Sequence, residues 1–352
     1  MRGEVKEGRI SAILAMVAAM MLRAAAVAIA LACTAPAWAQ ERVTIAVTRA
    51  STNGALFLAA ARGYFKAEGI EPDMTAYATD GEVVKAMAAG SADVALAHWS
   101  IETVKLATQI GFKAVAAQAR ENDGFEGNEL VASAAAYDRG IRKLDQLLSG
   151  VVVVDAVGSN LHYQLDQAQH AKGSKVVGFT LRFAGSPKAA AAAISEGRAD
   201  MAVLPMIEAR NLLATNQAKL IAWCSQFSTS ELGALFASPT MLTARRAVTE
   251  KFLRAYRRGA ADYHAVFLRL DKYSKRVSNA ASQEAAKILA YYVYPRARRH
   301  EGVAMAEGEV HYMDAKARID TVDLNRRIAW YQAQGLLDKS FSAENLVDLN
   351  FK

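Results

Sequence analysis

Small hydroxyl, amide and aromatic side chains follow most of the predicted strands of this 352-residue chain. Ligands in open parallel sheets sit outside the carboxyl ends of the strands, where helix N-termini offer unpaired N–H groups. These positions are therefore the predicted ligand contacts, because a pocket needs an apolar wall and a few placed polar groups. In the first half of the chain they are Thr48, Ser51, Thr52, Asn53, Asp80, His98, Trp99, Ser100, Gln118 and Asn122. In the second half they are Ser159, Asn160, His162, Tyr163, Gly185, Ser186, Pro205 and Met206.

Several of these residues have a purely structural alternative. Ser51, Thr52 and Ser159 would serve as helix N-caps, a role that is compatible with ligand contact. His98 could be a hydrogen-bonded structural histidine, and Trp99 either stacks on a ligand or packs in the core. The sequence does not decide which of the two aromatic residues in the helix after Ser159 faces the ligand.

Signatures of catalysis are missing from the sequence. It contains no Gly-x-Ser-x-Gly, no phosphate loop and no Gly-x-Gly-x-x-Gly after the first strand. Its two cysteines, Cys33 and Cys224, exclude paired-cysteine metal sites, and the six histidines show no metal-ligand spacing. We therefore expect no catalysis, no metal and no other cofactor. Cys224 is expected to be a buried small hydrophobic residue.

The elements that position these residues repeat along the chain. The segments AAGSADVALAHWS (residues 88–100) and ISEGRADMAVLPM (residues 194–206) both follow the order helix, glycine, Ala-Asp, strand. The repeat predicts two parallel α/β lobes, with residues 40–122 and 232–352 in the first and residues 123–231 in the second. The chain would cross between lobes near residues 121–128 and 226–231, forming a two-strand hinge that closes a cleft on its ligand.

Individual elements are predicted from periodicity and turn signals. Residues 55–68 are expected to form one helix ended by Gly69, and Asp80 is expected to cap the next helix. An apolar run predicts a strand over residues 176–183. Strongly helical patterns cover residues 247–268, 281–292 and 320–334 near the C-terminus.

The N-terminal region resembles an export signal. Arg23 precedes a short apolar run over residues 24–32, and Ala37-Trp38-Ala39 is a small-x-small cleavage pattern. We expect cleavage after Ala39 and a periplasmic location. Lipid attachment at Cys33 is not expected, because Ala30 stands where such signals carry leucine.

The composition is that of a globular protein, with 53% hydrophobic and 22% charged residues and a formal net charge of +7. No cluster of Lys and Arg is interleaved with aromatic residues, so nucleic acid is not an expected partner. We expect a monomer that binds a small molecule.

Longer phrases carry a resemblance to a known family. TIAVTRASTNGALFLAAARGYFKAEGIEPDM is similar to the opening of substrate-binding proteins of ABC importers for nitrate, taurine, alkanesulfonates and thiamine pyrimidine precursors. AVGSNLHYQLDQA resembles the sulfonate-type second-lobe loop, and WYQAQGLLDKSF resembles a C-terminal helix of that family. The resemblance implies a type II periplasmic-binding fold, a permease partner and a small organic ion (sulfonate, carboxylate or nitrogen heterocycle) as ligand. It places Ser51, Asn53, Ser159 and His162 at the pocket.

Two other functions stay open at this point. One is a pyrimidine-synthesising enzyme related to the same family, although its Cys-rich motif is absent here. The other is a ligand-sensing module that signals to a membrane receptor.

Overall fold

Two mixed sheets organise the part of the chain that the computed structural model describes, which is residues 20, 40–143, 146, 150–171 and 178–351. The first sheet has the order β2-β1-β3-β10-β4 and the second has the order β7-β6-β8-β5-β9. The strands of the first sheet are β1 (Glu41–Thr48), β2 (Ile70–Tyr77), β3 (Val94–His98), β4 (Lys113–Ala117) and β10 (Gly233–Ala237). Those of the second are β5 (Glu129–Ser133), β6 (Val151–Val154), β7 (Thr180–Phe183), β8 (Met201–Leu204) and β9 (Ala218–Trp223).

Helices cover both faces of each sheet. In chain order they are α1 (Gly54–Ala61), α2 (Tyr64–Ala67), α3 (Asp80–Ala88), α4 (Ile101–Ile110), α5 (Ala134–Asp138), α6 (Asn160–His170), α7 (Pro187–Ser195), α8 (Met206–Ala214), α9 (Pro239–Leu242), α10 (Arg246–Phe267), α11 (Ala280–Val293), α12 (Arg299–Gly308) and α13 (Thr321–Ala333). We call each sheet with its helices a lobe. No helix within the described residues combines the length and the apolar character that crossing a bilayer requires.

Each sheet is buried on both faces, which explains its apolar strands. In β3, Val94 and Leu96 pack in one core cluster of the first lobe, whereas Ala95 and Ala97 pack in the cluster on the opposite face. The second lobe repeats this arrangement, since Val152 and its neighbour Val153 belong to different clusters. Continuous apolar runs are typical of strands that are covered on both sides.

The prediction of parallel lobes is wrong for one strand of each sheet. Strand β10 runs antiparallel to β3 and β4, and β5 runs antiparallel to β8 and β9. Each of these two strands follows a crossover from the other sheet and enters its new sheet in the reverse direction. The two α/β lobes themselves are confirmed.

Two local predictions are also wrong. Residues 55–68 do not form one helix, because Gly63 has a φ of +71° and separates α1 from α2. Asp80 does not cap α3; the Thr79 side chain does so by accepting from the Glu82 N–H at 3.2 Å. The predicted export signal and part of the predicted strand over residues 176–183 lie outside the described residues.

The chain crosses between the sheets twice, from β4 to β5 and from β9 to β10. The two crossing segments lie side by side, because Arg120 and Glu231 form an antiparallel bridge and the Glu121 N–H donates to the Ser230 carbonyl at 2.9 Å. This is the arrangement that the predicted two-strand hinge requires. The exact lobe boundaries remain a prediction.

The packing of α10 on α1 depends on a glycine. A Cβ atom at Gly259 would lie 2.2 Å from the Ala55 carbonyl oxygen and 2.8 Å from the Ala59 Cβ. Gly302 also lies within a helix, but its nearest neighbour, the Tyr294 Cβ, would be 3.4 Å away.

We predict opposite effects of alanine at these two helical glycines. Gly259→Ala should destabilise the protein by about 1–3 kcal/mol, because the helix backbones cannot approach as closely. Gly302→Ala should stabilise it by up to about 1 kcal/mol, because alanine loses less backbone entropy on folding. Urea unfolding of both variants checks the pair, and a stabilising Gly259→Ala substitution would contradict the packing described here.

Candidate ligand-binding site

The first-lobe part of the site is centred on His98, the last residue of β3. Its Nδ1 lies 2.9 Å from the Asp80 carboxylate, and its Nε2 lies 3.3 Å from the Thr52 hydroxyl. Burial lowers the pKa of His98, but the carboxylates of Asp80 and Asp155 outweigh it, so that the pKa is raised. The His98 imidazole therefore links the end of β3 to the segments that carry Asp80 and Thr52.

The second-lobe part is centred on Asp155, which directly follows β6. Its carboxylate accepts from the Ser159 hydroxyl, and burial raises its pKa. Ser159 is also the N-cap of α6, accepting from the His162 N–H at 3.1 Å. The Ile101 N–H, just after β3, donates to the Gly158 carbonyl, just after β6, at 2.9 Å, so strand ends from the two sheets lie near each other.

His162 and Tyr163 both pack towards α13. The His162 Nδ1 accepts from the Gly158 N–H at 3.1 Å, and its ring meets Trp330 edge-on at 5.0 Å between ring centroids. Burial lowers the pKa of His162 to about 4, so the ring is neutral at physiological pH. The Tyr163 hydroxyl donates to the Asp323 carboxylate at 3.2 Å, in the interior.

Several predicted contacts are engaged in the framework of the site. The Gln118 amide donates to Asn53 at 2.5 Å, and Asn53 donates in turn to the Thr48 carbonyl at 2.9 Å. This network ties the ends of β1 and β4 together. Asn160 accepts from Arg327 at 3.0 Å. Each of these amides has a structural partner, which leaves ligand contact through them a prediction.

The remaining predicted residues differ in exposure. Trp99 is 1% exposed and packs edge-on against Phe236 in the first-lobe core, as its structural alternative required. Ser100 and Ser186 are the N-caps of α4 and α7. Of the other predicted residues, Met206 is buried, Pro205 and Asn122 are half-buried, and Gly185 is exposed.

The cap alternative is wrong for Ser51 and Thr52. Both lie inside a 3₁₀ turn over Ser51–Asn53, whose N-cap is Ala50, and neither hydroxyl caps a helix. Thr52 instead contacts His98, and Ser51 lies close enough to Glu309 to lower the pKa of that carboxyl against the effect of burial. Both side chains are therefore buried next to titratable groups of the cleft.

Residues far apart in sequence complete the surroundings of the cleft. Asp155 could have been found, because it occupies a strand end like the residues that were chosen. Arg327 on α13, Arg210 on α8 and the segment Glu309–His311 carry no local signal, since helix and loop residues so distant in sequence reach the cleft only through the fold. Across the described ranges, no group of three His, Cys, Asp or Glu side chains could hold a metal ion.

The two strand orders, each with one reversed strand from a crossover, and the facing strand ends define a type II periplasmic-binding fold. Residues 51–266, more than half of the chain, match the family model described as NMT1/THI5 like. The chain belongs to this family. A comparison with curated proteins finds no match.

Solved structures of low sequence identity share the fold. A ligand binding component of an ABC-type import system from Staphylococcus aureus is 12% identical, with a TM-score of 0.67 over 89% of this chain and 98% of that chain. The periplasmic aliphatic sulphonate binding protein SsuA from Escherichia coli is 12% identical, with a TM-score of 0.65 over 88% and 92%. The periplasmic nitrate-binding protein NrtA from Synechocystis PCC 6803 is 11% identical, with a TM-score of 0.60 over 86% and 84%.

Proposed function

We propose that this protein is the extracytoplasmic solute-binding component of an ABC importer, which captures a small organic ion and delivers it to a permease. The observation that carries the proposal is the hydrogen bond from the Ile101 N–H to the Gly158 carbonyl, which joins the segment after β3 to the segment after β6 and brings strand ends of the two lobes together. Family membership and the likeness to importer components from other organisms support it. Export after cleavage at Ala39 and a monomeric state belong to the same proposal.

The lobes already share contacts that a closed form needs. The Ile101 N–H donates to the Gly158 carbonyl at 2.9 Å, and the Tyr331 hydroxyl donates to the same oxygen at 3.0 Å. Gly158 permits this approach, because a Cβ there would lie 2.6 Å from the Ile101 side chain. A ligand that binds both lobes stabilises this arrangement over an open one by its difference in affinity for the two. Ser51, Thr52, His98, Ser159 and His162 are the contacts we propose for it.

A thermal-shift screen of sulfonates, carboxylates, nitrate and pyrimidines tests the proposal. A compound at a hundred times its Kd should stabilise the native state by ~2.7 kcal/mol, which raises the melting temperature. The bound compound should be recovered unchanged after incubation with the purified protein. In the cell, the protein should be found in the periplasmic fraction with Gln40 as its first residue.

Three outcomes would count against this function. Chemical turnover of the bound compound would favour the pyrimidine-synthesising enzyme. Unimpaired uptake of the solute in cells that lack the protein would favour a sensing module. A chain retained in the cytoplasm would contradict the delivery step.

A further inference from the structure

A second polar cluster lies where helix α12 of the first lobe ends. Val310 packs in the first-lobe core, whereas its neighbours Glu309 and His311 are buried among polar groups. The Glu309 carboxyl accepts from the Tyr294 hydroxyl. His311 is 5% exposed, and its Nδ1 has no hydrogen-bond partner.

The second lobe meets this cluster through α8. Arg210 donates to the Gly308 carbonyl and to the Glu126 carboxylate, and its Nε lies 3.5 Å from the Glu129 carboxylate. Glu129 pairs with Leu204, the last residue of β8, so it lies at the same sheet edge from which α8 starts. The cluster is therefore part of the cleft between the lobes.

Carboxyl groups outnumber cations in this cluster. The Arg210 guanidinium pairs with the carboxylates of Glu126 and Glu129, and its charge also lowers the pKa of Glu309. Glu208 lies in the first turn of the helix that carries Arg210. Burial raises the pKa of Glu129 to about 7 and also raises the pKa of Glu208 and Glu309. Burial outweighs the opposing effects of Arg210 on Glu129 and Glu309 and of the Tyr294 hydroxyl on Glu309.

Two carboxyl oxygens of this cluster have no hydrogen-bond donor. The Oε2 atoms of Glu129 and Glu208 are buried and have no hydrogen-bond partner. Glu129 is only 2% exposed, so water does not readily replace the missing donor. Burial and the nearby positive charges of His98 and Arg210 lower the pKa of His311 to about 3, so this imidazole adds no positive charge.

Among the described residues, the cations on the other side of the cleft lie near carboxylates or carbonyls of their own, although Nε and Nη1 of Arg327 have no hydrogen-bond partner. His98 stands against two carboxylates, those of Asp80 and Asp155. Arg327 lies 3.6 Å from the Asp323 carboxylate, and Arg49 donates to the Tyr292 carbonyl. A ligand N–H donor would meet the unpaired carboxyl oxygens of Glu129 and Glu208, and a positive charge on the ligand would favour the ionised form of these groups.

We propose that the solute is a small organic cation that carries N–H donors, such as a primary amine or an aminoalkyl heterocycle, and that Glu129, Glu208 and Glu309 hold its charged nitrogen. His311 would accept a further N–H of the ligand at its unpaired ring nitrogen. This inference rests on the proposed function, because it names the ligand of the same cleft. It selects among the ligand classes left open there and disfavours sulfonates and nitrate.

Paired probes with one carbon skeleton test the charge preference. We expect butan-1-amine and 3-(aminomethyl)pyridine to raise the melting temperature of the purified protein, and butane-1-sulfonate and pyridine-3-sulfonate to leave it unchanged. Sodium nitrate and calcium chloride are included at the same ionic strength. Isothermal titration of the better amine then gives its association constant.

Variants connect the preference to the carboxyl groups. The double substitution Glu208→Gln with Glu309→Gln should lower the association constant for the amine at least tenfold, while the melting temperature of the free protein stays the same or rises. Glu284→Gln is the matched control, because Glu284 is an exposed residue of α11 that pairs with Lys287 at 2.8 Å. Its association constant should stay within twofold of the wild type.

The outcomes separate the two proposals. A shift with a sulfonate, nitrate or calcium and none with an amine overturns the cation assignment and leaves solute capture standing. Absence of a shift with every probe overturns the cation assignment, and solute capture is contradicted as well only if the wider screen of sulfonates, carboxylates, nitrate and pyrimidines also gives no shift. Amine binding that survives the double substitution unchanged overturns the assignment to these carboxyl groups.

Discussion

Replacing Arg327 by leucine is expected to lower the free energy of unfolding by about 3–5 kcal/mol, the usual cost of removing one partner from a buried ion pair. Arg327 is fully buried, and its Nη2 donates to the Glu231 carbonyl at 2.7 Å and to Asn160 at 3.0 Å. Its guanidinium also lies 4.2 Å from the ring centroid of Tyr163. Without it, the buried Asp323 carboxylate would lose its nearest buried cation.

The adjacent residue provides a control for this substitution. Arg326 lies 3.7 Å from the Asp323 carboxylate, but half of its side chain is exposed. Arg326→Leu should change the free energy of unfolding by less than about 1 kcal/mol, as exposed ion pairs contribute little. Urea unfolding of both variants makes the comparison. Equal losses in the two would show that the buried position of Arg327 does not matter.

Replacing Glu231 by glutamine should stabilise the protein increasingly as the pH rises. Burial raises the pKa of Glu231 to about 8, with Asp323 and Asp320 adding to the effect. Between its ordinary pKa near 4.5 and about 8, the folded protein keeps a proton that the unfolded chain has released. The wild type therefore loses about 1.4 kcal/mol per pH unit from this group across that window, and the variant does not.

Unfolding free energies at pH 5 and pH 8 check this prediction. The difference between Glu231→Gln and the wild type should grow by a few kcal/mol between the two pH values. Glu196→Gln is a suitable control, because Glu196 is exposed and pairs with Arg198. A constant difference for Glu231→Gln at both pH values would mean that this carboxyl is ionised in the folded protein throughout the range.

The two-lobe fold could be predicted because its signals are local. Alternating strand and helix patterns, and the repeated Ala-Asp turn before β3 and β8, depend on neighbouring residues only. The reversed direction of β5 and β10 could not be predicted in this way, because it follows from the sheet that each strand joins after a crossover. The apolar residues on both sides of Gly63 continue the helical pattern, so the sequence did not reveal that a positive φ at Gly63 ends the first helix.

The candidate site was predictable only at strand ends. His98 and Ser159 were chosen by that rule, and Asp155 satisfies the same rule. Glu309, His311 and Arg210 reach the cleft from the ends or faces of helices, and their charge balance exists only after folding. The sequence shows that such residues are present, but the excess of carboxyls over cations depends on which of them become neighbours.

The insertion of β10 between β3 and β4 has a consequence for biosynthesis. Strand β10, which lies between β3 and β4 in the first sheet, is translated only after every strand of the second sheet. Pairings between segments so distant in sequence form late, since the entropy of closing the intervening loop is lost first. A nascent chain of this protein therefore cannot complete its N-terminal half early. The first sheet can therefore be completed only after about two thirds of the chain has been synthesised, whereas the second sheet is already complete.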